Sequence, residues 1–482
     1  MTRVPQGSAA PSVAFVNPLA ERIRSVRTRP RSQAVIADRR TSVGADGLID
    51  AAEELRLALV AASGVPRPLV AVSLPLSTDA VAALVAAILG DLSVCFVDPS
   101  AAEEHRRSLL QALHPDVVLD RSGIRAVASS ASRSSLEAGY VAMSSGSTGG
   151  GPKGVLSSWS GIDAFVPHGA EALDLDASSV WAEVSHLSYD LAMTNLLVAL
   201  AAGSSLRLSS SLGDRLRPLG FCARVEATHL RLAPRFIDLA ANERAATSPP
   251  TLRVWGSGGD RLSAADAQRV FDLGVATVVN TYGTSETIGF ASAARFDAGD
   301  DLPTVHGALG IGRGVVGAWR TSLLPEEAAD MLTIESPHLP GGYLFGNPNG
   351  EFPRWEGTER VLTGDLGARR GEELFCLGRA GRRVKRSASF VDLDALDAEV
   401  KQAFGLATFT AATPEGDLVS LVEGPSTDLG DLRRRLPTVL RPDSVPDVLV
   451  PVAQLPRLGN GKIDQAAAQL LAEGGMFTEL PR

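Results

Sequence analysis

Between Ala51 and Leu119 the chain alternates two apolar periodicities, and this alternation restricts the fold more than any other feature. Ala51–Ala62, Asp79–Leu89 and Arg106–Leu113 read as helices, while Leu69–Ser73, Val94–Val97 and Val117–Leu119 read as buried strands. Strands separated by whole helices are not hairpins; they predict parallel pairing in an α/β sheet. After about Asp300 the character changes. Short strands between Gly and Pro turns run from Gly310 to Leu377, and a compact α+β tail follows from Gly378, with helices near Asp392–Phe404 and Leu429–Leu440. A length of 482 residues is too great for one core; it predicts roughly two to four structural units. The expected fold class is therefore α/β. A large N-terminal domain, 1–377, would hold stacked α/β subdomains and a small β-rich subdomain, with a small α+β C-terminal domain at 378–482.

The most informative segment for chemistry is YVAMSSGSTGGGPKGV, from Tyr140 to Val155. A short apolar run enters a loop of Ser, Thr and Gly and closes on Pro-Lys-Gly. Glycine lets backbone N–H groups approach a ligand closely, and hydroxyls add donors, so the loop is an anion cradle suited to nucleotide phosphates. Lys153 adds a compact positive charge. The loop is not a Walker motif, because Lys153 follows Pro152 and precedes Gly154. The bland alternative is a flexible linker. Lysine usage sharpens the reading: of 46 basic residues only Lys153, Lys385, Lys401 and Lys462 are lysine. Lys153 and Lys462 both sit in glycine-flanked loops, where a flexible point charge is useful.

The bulk numbers exclude several classes. A net charge of -9 argues against nucleic acid as the main partner. Short Arg-rich patches, Arg27–Arg31 and Arg382–Arg386, are expected to face solvent. Cys95, Cys222 and Cys376 form no CxxC pair, and the seven histidines show no metal-ligand spacing. A reduced, cytoplasmic setting is expected. No signal-peptide core stands at the N-terminus, and the apolar run Ala80–Leu89 is too short to span a bilayer, so no membrane partner is expected. Gly312 to Gly317 matches GxGxxG but opens no helix and lies outside any clear βαβ unit, which leaves a dinucleotide reading weak.

Four further segments follow the Ser/Gly loop in order: NTYGTSETIG (Asn280–Gly289), LTGDLG (Leu362–Gly367), GRAGRRVKR (Gly378–Arg386) and LPRLGNGKID (Leu455–Asp464). Together they resemble the adenylate-forming superfamily of acyl-CoA synthetases, nonribosomal peptide adenylation domains and luciferases, over about Ser73 to Ala467. ILGDLSVCFVDPS (Ile88–Ser100), LGIGRG (Leu309–Gly314) and LPGGY (Leu339–Tyr343) add milder matches. The resemblance implies that the C-terminal domain is mobile and that the reaction uses ATP and Mg²⁺. It implies that Ser144, Ser147, Thr148 and Lys153 touch the ATP phosphates, with Thr148 among the catalytic groups. Tyr282 would stack on adenine beside Gly259 and Asp260, Asp365 and Arg379 would bind the ribose, Glu286 would hold the metal, and Lys462 would bridge the substrate carboxylate and the α-phosphate. The implied chemistry needs no general base, because a carboxylate is already ionised at neutral pH. It needs two anions aligned and their repulsion neutralised.

Some positions depart from the family pattern. Gly150 and Gly151 are both present where one residue usually stands, which bears on the register of Lys153. Gly381 occupies the hinge position, commonly Asp or Lys. Ser387, Ala388 and Phe390 stand where Arg, Gly and Arg are frequent in the thioester-forming conformation.

HLSYDLAMTNLLVALAAG (His186–Gly203) resembles the substrate segment of amino-acid-activating members, which places Asp190 opposite the α-ammonium group. The residue pattern also permits a helix N-cap at Asp190. The same resemblance sets Leu191, Thr194, Arg231, Gly256, Gly258, Thr281, Gly289 and Phe290 around the side-chain pocket. Arg231 alternates with Leu230 and Leu232, so it points to the opposite face, toward the pocket or toward solvent from an edge strand. Asp-Leu-Thr followed by a cation is similar to aspartate- or asparagine-activating domains. The leading expectation is a free-standing enzyme that activates an amino acid and loads the phosphopantetheine arm of an acyl or peptidyl carrier protein. The alternatives are a carboxylate–CoA or amide-forming ligase, and a non-catalytic adenylate-binding protein.

Overall fold

Three sheets and a separate C-terminal unit organise the chain in a computed structural model, which describes residues 17–26, 35–127, 137–144, 153–243, 248–324, 330–345, 352, 354, 359–386, 389–413, 417–424, 429–440, 444–458 and 461–474. Among them, an eight-stranded sheet runs in the spatial order Ser292–Asp297, Thr277–Tyr282, Val254–Gly258, His229–Leu232, Val180–Glu183, Ser205–Leu208, Val35–Ala37, Ser42–Gly44. Its central strands are parallel, and only the outer pairs are antiparallel. A seven-stranded sheet runs Tyr343–Phe345, Lys153–Ser158, Gly139–Ser144, Ser93–Phe96, Leu69–Ser73, Val117–Asp120, Gly123–Ala126. Parallel strands covered on both faces are apolar throughout. Leu69–Val72 and Val254–Gly258 are accordingly buried at every position.

Helices fill the space between these sheets. Thr78–Gly90 is buried along nearly its whole length and is capped by Ser77, whose hydroxyl accepts from Ala80 N. Ala45–Ser63 packs along it. The helix expected at Ala51 starts at Ala45, because Gly44 ends a strand in extended backbone and the first turn holds no apolar stripe to announce it. One core joins both sheets and includes Trp159, whose indole N–H donates to Leu92 O at 2.9 Å. A five-stranded antiparallel sheet, Val315–Val316, Trp319–Leu323, Met331–Glu335, Val361–Arg370, Glu373–Arg379, forms the β-rich part. Its last strand runs through residue 377 and ends at Arg379. The Gly312–Gly317 motif opens the two-residue strand Val315–Val316 and no helix. A Cβ at Gly312 would stand 2.1 Å from Ala293 O, so close backbone packing accounts for that glycine.

The C-terminal unit has its own core around the sheet Thr408–Ala412, Leu418–Glu423, Val448–Val452 and the helix Leu393–Phe404. Arg382 is a correction to the expected solvent-facing patch. It is buried, with its guanidinium bonded to Asp394, Asp397 and Thr410 O and lying over the Phe409 ring. Two carboxylates on one helix draw the charge inward, and a run of arginines alone does not reveal that partner. No helix among the described residues is long and apolar enough to cross a membrane.

Gly139 begins the strand that feeds the Ser/Gly loop, and a Cβ there would lie 1.9 Å from Ser157 O on the paired strand. Gly139→Ala should cost at least about 2 kcal/mol in denaturant unfolding, because backbone must move. Gly341→Ala, with open space around its Cβ position, should stay within about 0.5 kcal/mol.

Candidate active site

Parallel strands end on one side of a sheet, and the crevice outside their carboxyl ends is where α/β proteins gather ligand groups. Glu183, Leu232, Gly258 and Tyr282 close four such neighbouring strands. Directly after them come the Asp190 helix, the Gly259–Asp260 turn and the 3-10 turn Ser285–Thr287 that carries Glu286. Asp260 is exposed, and its Oδ1 accepts from Arg261 N at 2.8 Å.

One flank is a carboxylate set between an aromatic and a cation. Asp365 is 7% exposed and accepts from Tyr282 Oη at 2.9 Å and from Arg379 Nε at 3.0 Å. Burial raises its pKa, and Arg379, Tyr282 and Lys462 oppose that rise. Nearby, Lys153 Nζ lies 5.3 Å from the Tyr343 ring centroid, and Tyr343 Oη donates to Glu286 Oε1 at 2.8 Å. One aromatic ring thus carries a cation over its face and a carboxylate at its hydroxyl. Lys153 pairs with Ser144 across the base of the hairpin. The extra glycine therefore leaves Lys153 at the mouth of the loop. Ser147 and Thr148 lie outside the described residues, and only the backbone of Ser144 is described.

The other flank centres on Asp190. The helix Asp190–Ala202 begins at that residue; the cap position is Tyr189, and no side chain makes a capping bond. The N-cap alternative is therefore set aside. The carboxylate instead accepts from Tyr140 Oη at 3.2 Å and from Ser285 Oγ. Burial raises its pKa; the two hydroxyls and Lys462 lower it, while Glu286 raises it further. Such a group gains most from an arriving cation. Lys462 reaches this place from the C-terminal unit: its Nζ is 3.7 Å from the Cβ position of Gly259, as is Leu191 Cδ1. Gly461, at φ 76°, leaves room for the Arg235 guanidinium, which any side chain there would overlap. Lys401 Nζ meets Asp238 Oδ2 at 2.7 Å in a second contact between the two units.

Arg231 resolves its alternatives inward. Its strand is interior to the sheet and buried at all four positions, and Arg231 itself is 4% exposed. Nε and Nη2 donate to Thr281 Oγ1 at 3.1 and 2.8 Å, Nη1 donates to Asn195 Oδ1 at 3.0 Å, and the guanidinium sits 5.0 Å from the Phe290 ring centroid. Burial lowers its pKa to about 10, which leaves it charged at neutral pH. The space at Gly256 and Gly258 belongs to Arg231 itself, whose Cγ and Nη2 lie 2.8 and 2.9 Å from the two Cβ positions. Gly289 makes room in the same way for Phe165, with Thr194 Cγ2 at 3.2 Å. Thr194 Oγ1 is turned to Asp190 O. Pocket residues that sequence reasoning missed are Glu183, Asn195, Tyr140, Ser285 and Tyr343. A Glu inside the apolar VWAE strand was a signal, since an isolated buried carboxylate requires partners.

With the geometry in hand, comparison with known proteins is informative. Residues 137–344 match the AMP-binding enzyme family. Beyond this AMP-binding domain, the chain is similar to nonribosomal peptide synthetases and has the fold of solved adenylate-forming enzymes. The chain is 26% identical over 392 residues to the nonribosomal peptide synthetase ungA of Aspergillus violaceofuscus, covering 70% of this chain and 4% of that protein. The chain thus spans a small fraction of the length of the curated relatives it matches. Its fold matches the anthranilate CoA ligase AuaEII in complex with anthranoyl-AMP at TM-score 0.78 and 16% identity, covering 94% and 97% of the two chains. It also matches holo-AB3403, a four-domain nonribosomal peptide synthetase bound to AMP and glycine, at TM-score 0.78 and 18% identity, covering 96% of this chain and 36% of the other. Enzymes of this superfamily use ATP, and the Asp365–Tyr282–Arg379 and Lys153–Tyr343–Glu286 sets suit its sugar and phosphates in chemistry.

Burial pushes Glu183 from 4.5 up to about 7. The folded state therefore holds a proton that the unfolded chain releases near 4.5. The stability from this group is present below 4.5 and lost as pH rises through about 7. Chemical unfolding from pH 4.5 to 8 should show a decline in the native protein, up to about 3 kcal/mol from this group, that Glu183→Gln removes. Parallel curves for the two proteins would contradict the assignment.

Proposed function

We propose that this enzyme activates an amino acid as its adenylate and passes the aminoacyl group to the phosphopantetheine thiol of a carrier protein. The observation that carries the reading is Asp190: a half-buried carboxylate held by two hydroxyls, in a crevice that also receives Lys462. The α-ammonium group of an amino acid would pair with this carboxylate, whose bonded side chains among the described residues are hydroxyls, and a fatty or aryl acid offers no such cation.

In the first half-reaction a substrate carboxylate oxygen attacks the α-phosphorus of ATP. A C–O–P bond forms, the bond from the α-phosphorus to the bridging oxygen breaks, and pyrophosphate leaves with that oxygen. No proton moves. Lys153 at the loop mouth, with Ser144, Ser147 and Thr148, holds the phosphates. Tyr282, Gly259 and Asp260 border the adenine, and Asp365 with Arg379 takes the ribose. Among the described residues no three His, Cys, Asp or Glu side chains form a metal cluster. A Mg²⁺ ion would thus be held by Glu286 together with phosphate oxygens, where it neutralises charge. Lys462 lies between the two anions that must meet. In the second half-reaction the thiol sulfur bonds to the acyl carbon, the bond from that carbon to the phosphate oxygen breaks, AMP leaves with that oxygen, and the thiol proton passes to solvent. The C-terminal unit would turn about Gly381 to admit the carrier, which takes Lys462 away. At the side-chain end Leu191, Thr194, Thr281, Gly289 and Phe290 surround Arg231, which selects an aspartate- or asparagine-like side chain.

A second reading, a carboxylate–CoA ligase, draws support from the fold match to a CoA ligase. A pyrophosphate-exchange panel decides between them. Some amino acid should support exchange with ATP and Mg²⁺, and exchange with simple carboxylic acids alone would favour the CoA-ligase reading. Lys462→Ala should lower exchange by about 100-fold or more, while transfer from preformed aminoacyl-adenylate to a carrier is largely spared. Equal loss of both half-reactions would contradict a rotating C-terminal unit.

A further inference from the structure

Behind the side-chain pocket runs a closed polar chain that none of the expected pocket residues explains. Glu183 is fully buried at the end of its strand. Every group bonded to its carboxylate is a donor: Val184 N at 3.1 Å and Ser185 N at 2.8 Å to Oε1, Asn195 Nδ2 at 2.7 Å and Trp181 Nε1 at 3.4 Å to Oε2. Asn195, also fully buried, gives Nδ2 additionally to Arg231 O at 3.2 Å and receives Arg231 Nη1 on Oδ1. A carboxylate only accepts and a guanidinium only donates, so the amide has one workable orientation. Asn195 therefore couples the two buried charges, and Thr281 pins the other side of the fork. Among the described residues, this leaves one N–H on Nη1 and one on Nη2.

We propose that Glu183 and Asn195 are positioning residues that hold and neutralise Arg231, so that the pocket takes a side chain ending in a neutral carbonyl or carboxamide in preference to a carboxylate. The inference rests on reading Asp190 and Arg231 as the amino-acid site. Charge balance carries it. The α-ammonium group answers Asp190, Lys462 answers the reacting carboxylate, and Glu183 answers Arg231. A second substrate carboxylate would be an excess buried anion against the Phe165–Phe290 wall, whose rings are 5.1 Å apart. A carboxamide oxygen accepts the remaining guanidinium N–H bonds and adds no charge.

The test is pyrophosphate exchange at pH 8, above the raised pKa of Glu183, with the full chain and two matched pairs: asparagine against aspartate, and glutamine against glutamate. The neutral member of the better pair should win in kcat/KM by about 10-fold or more. Glu183→Gln removes the compensating charge and should move that ratio toward the acidic member by about 10-fold or more, chiefly through the KM of the acidic substrate. A merely structural role would lower both members alike. A native preference for the acidic member overturns the proposal even if Glu183→Gln does not fold. So does an unchanged ratio in folded Glu183→Gln, or a best substrate with an apolar side chain. Exchange with no amino acid at all overturns the reading of the site itself, and this inference with it.

Discussion

Two carboxylates, the half-buried Asp190 and the buried Asp365, stand on opposite flanks of one crevice, and burial raises the pKa of both. Neither is tolerable in isolation, because removing a charge from water costs several kcal/mol unless partners replace the solvent. Asp365 is satisfied within the protein by Arg379 and the Tyr282 hydroxyl. Among the described residues, Asp190 is hydrogen-bonded by the hydroxyls of Tyr140 and Ser285. Lys462 opposes the rise at both. In the proposed function this difference orients the site, with the ribose beside Asp365 and the substrate ammonium beside Asp190.

The fold exists to hold those charges at fixed separation. Four parallel strands deliver their carboxyl ends to one crevice, and the turns that follow carry Asp190, Gly259, Tyr282 and Glu286. The antiparallel β-rich sheet supplies Asp365 and Arg379 from two paired strands, in direct register. The C-terminal unit is the one movable part of the proposed mechanism. Its Lys462 depends on Gly461, whose missing side chain lets Arg235 pass, and on the partly exposed Lys401–Asp238 pair. Exposed pairs are weak, which suits a contact that the proposed rotation of the C-terminal unit would break.

Much of this architecture was legible from residue order. The strand Leu69–Ser73 is observed as expected, and the neighbouring helices differ chiefly at their ends, because helix and strand periodicity are local properties. The motif order around Lys153, Glu286, Asp365 and Lys462 likewise pointed to one superfamily. Arg382 failed for the opposite reason. A run of arginines looks like a solvated face until the helix carrying Asp394 and Asp397 packs against it.

The sequence by itself determined most of the elements and the ordered motifs, which resemble those of the adenylate-forming superfamily. Only the tertiary structure decided what surrounds the substrate. Glycines 256 and 258 were expected around the side-chain pocket, yet the Arg231 and Thr281 side chains fill the space beside them. Asp190 read equally as a cap, yet its carboxylate turns to Tyr140 and Ser285. Glu183 and Asn195 sit in apolar segments with nothing local to mark their link to Arg231. The physical reason is the same each time. Periodicity and loop chemistry act between near neighbours in sequence, whereas a buried charge is satisfied by residues that strand order and helix packing bring together from distant parts of the chain.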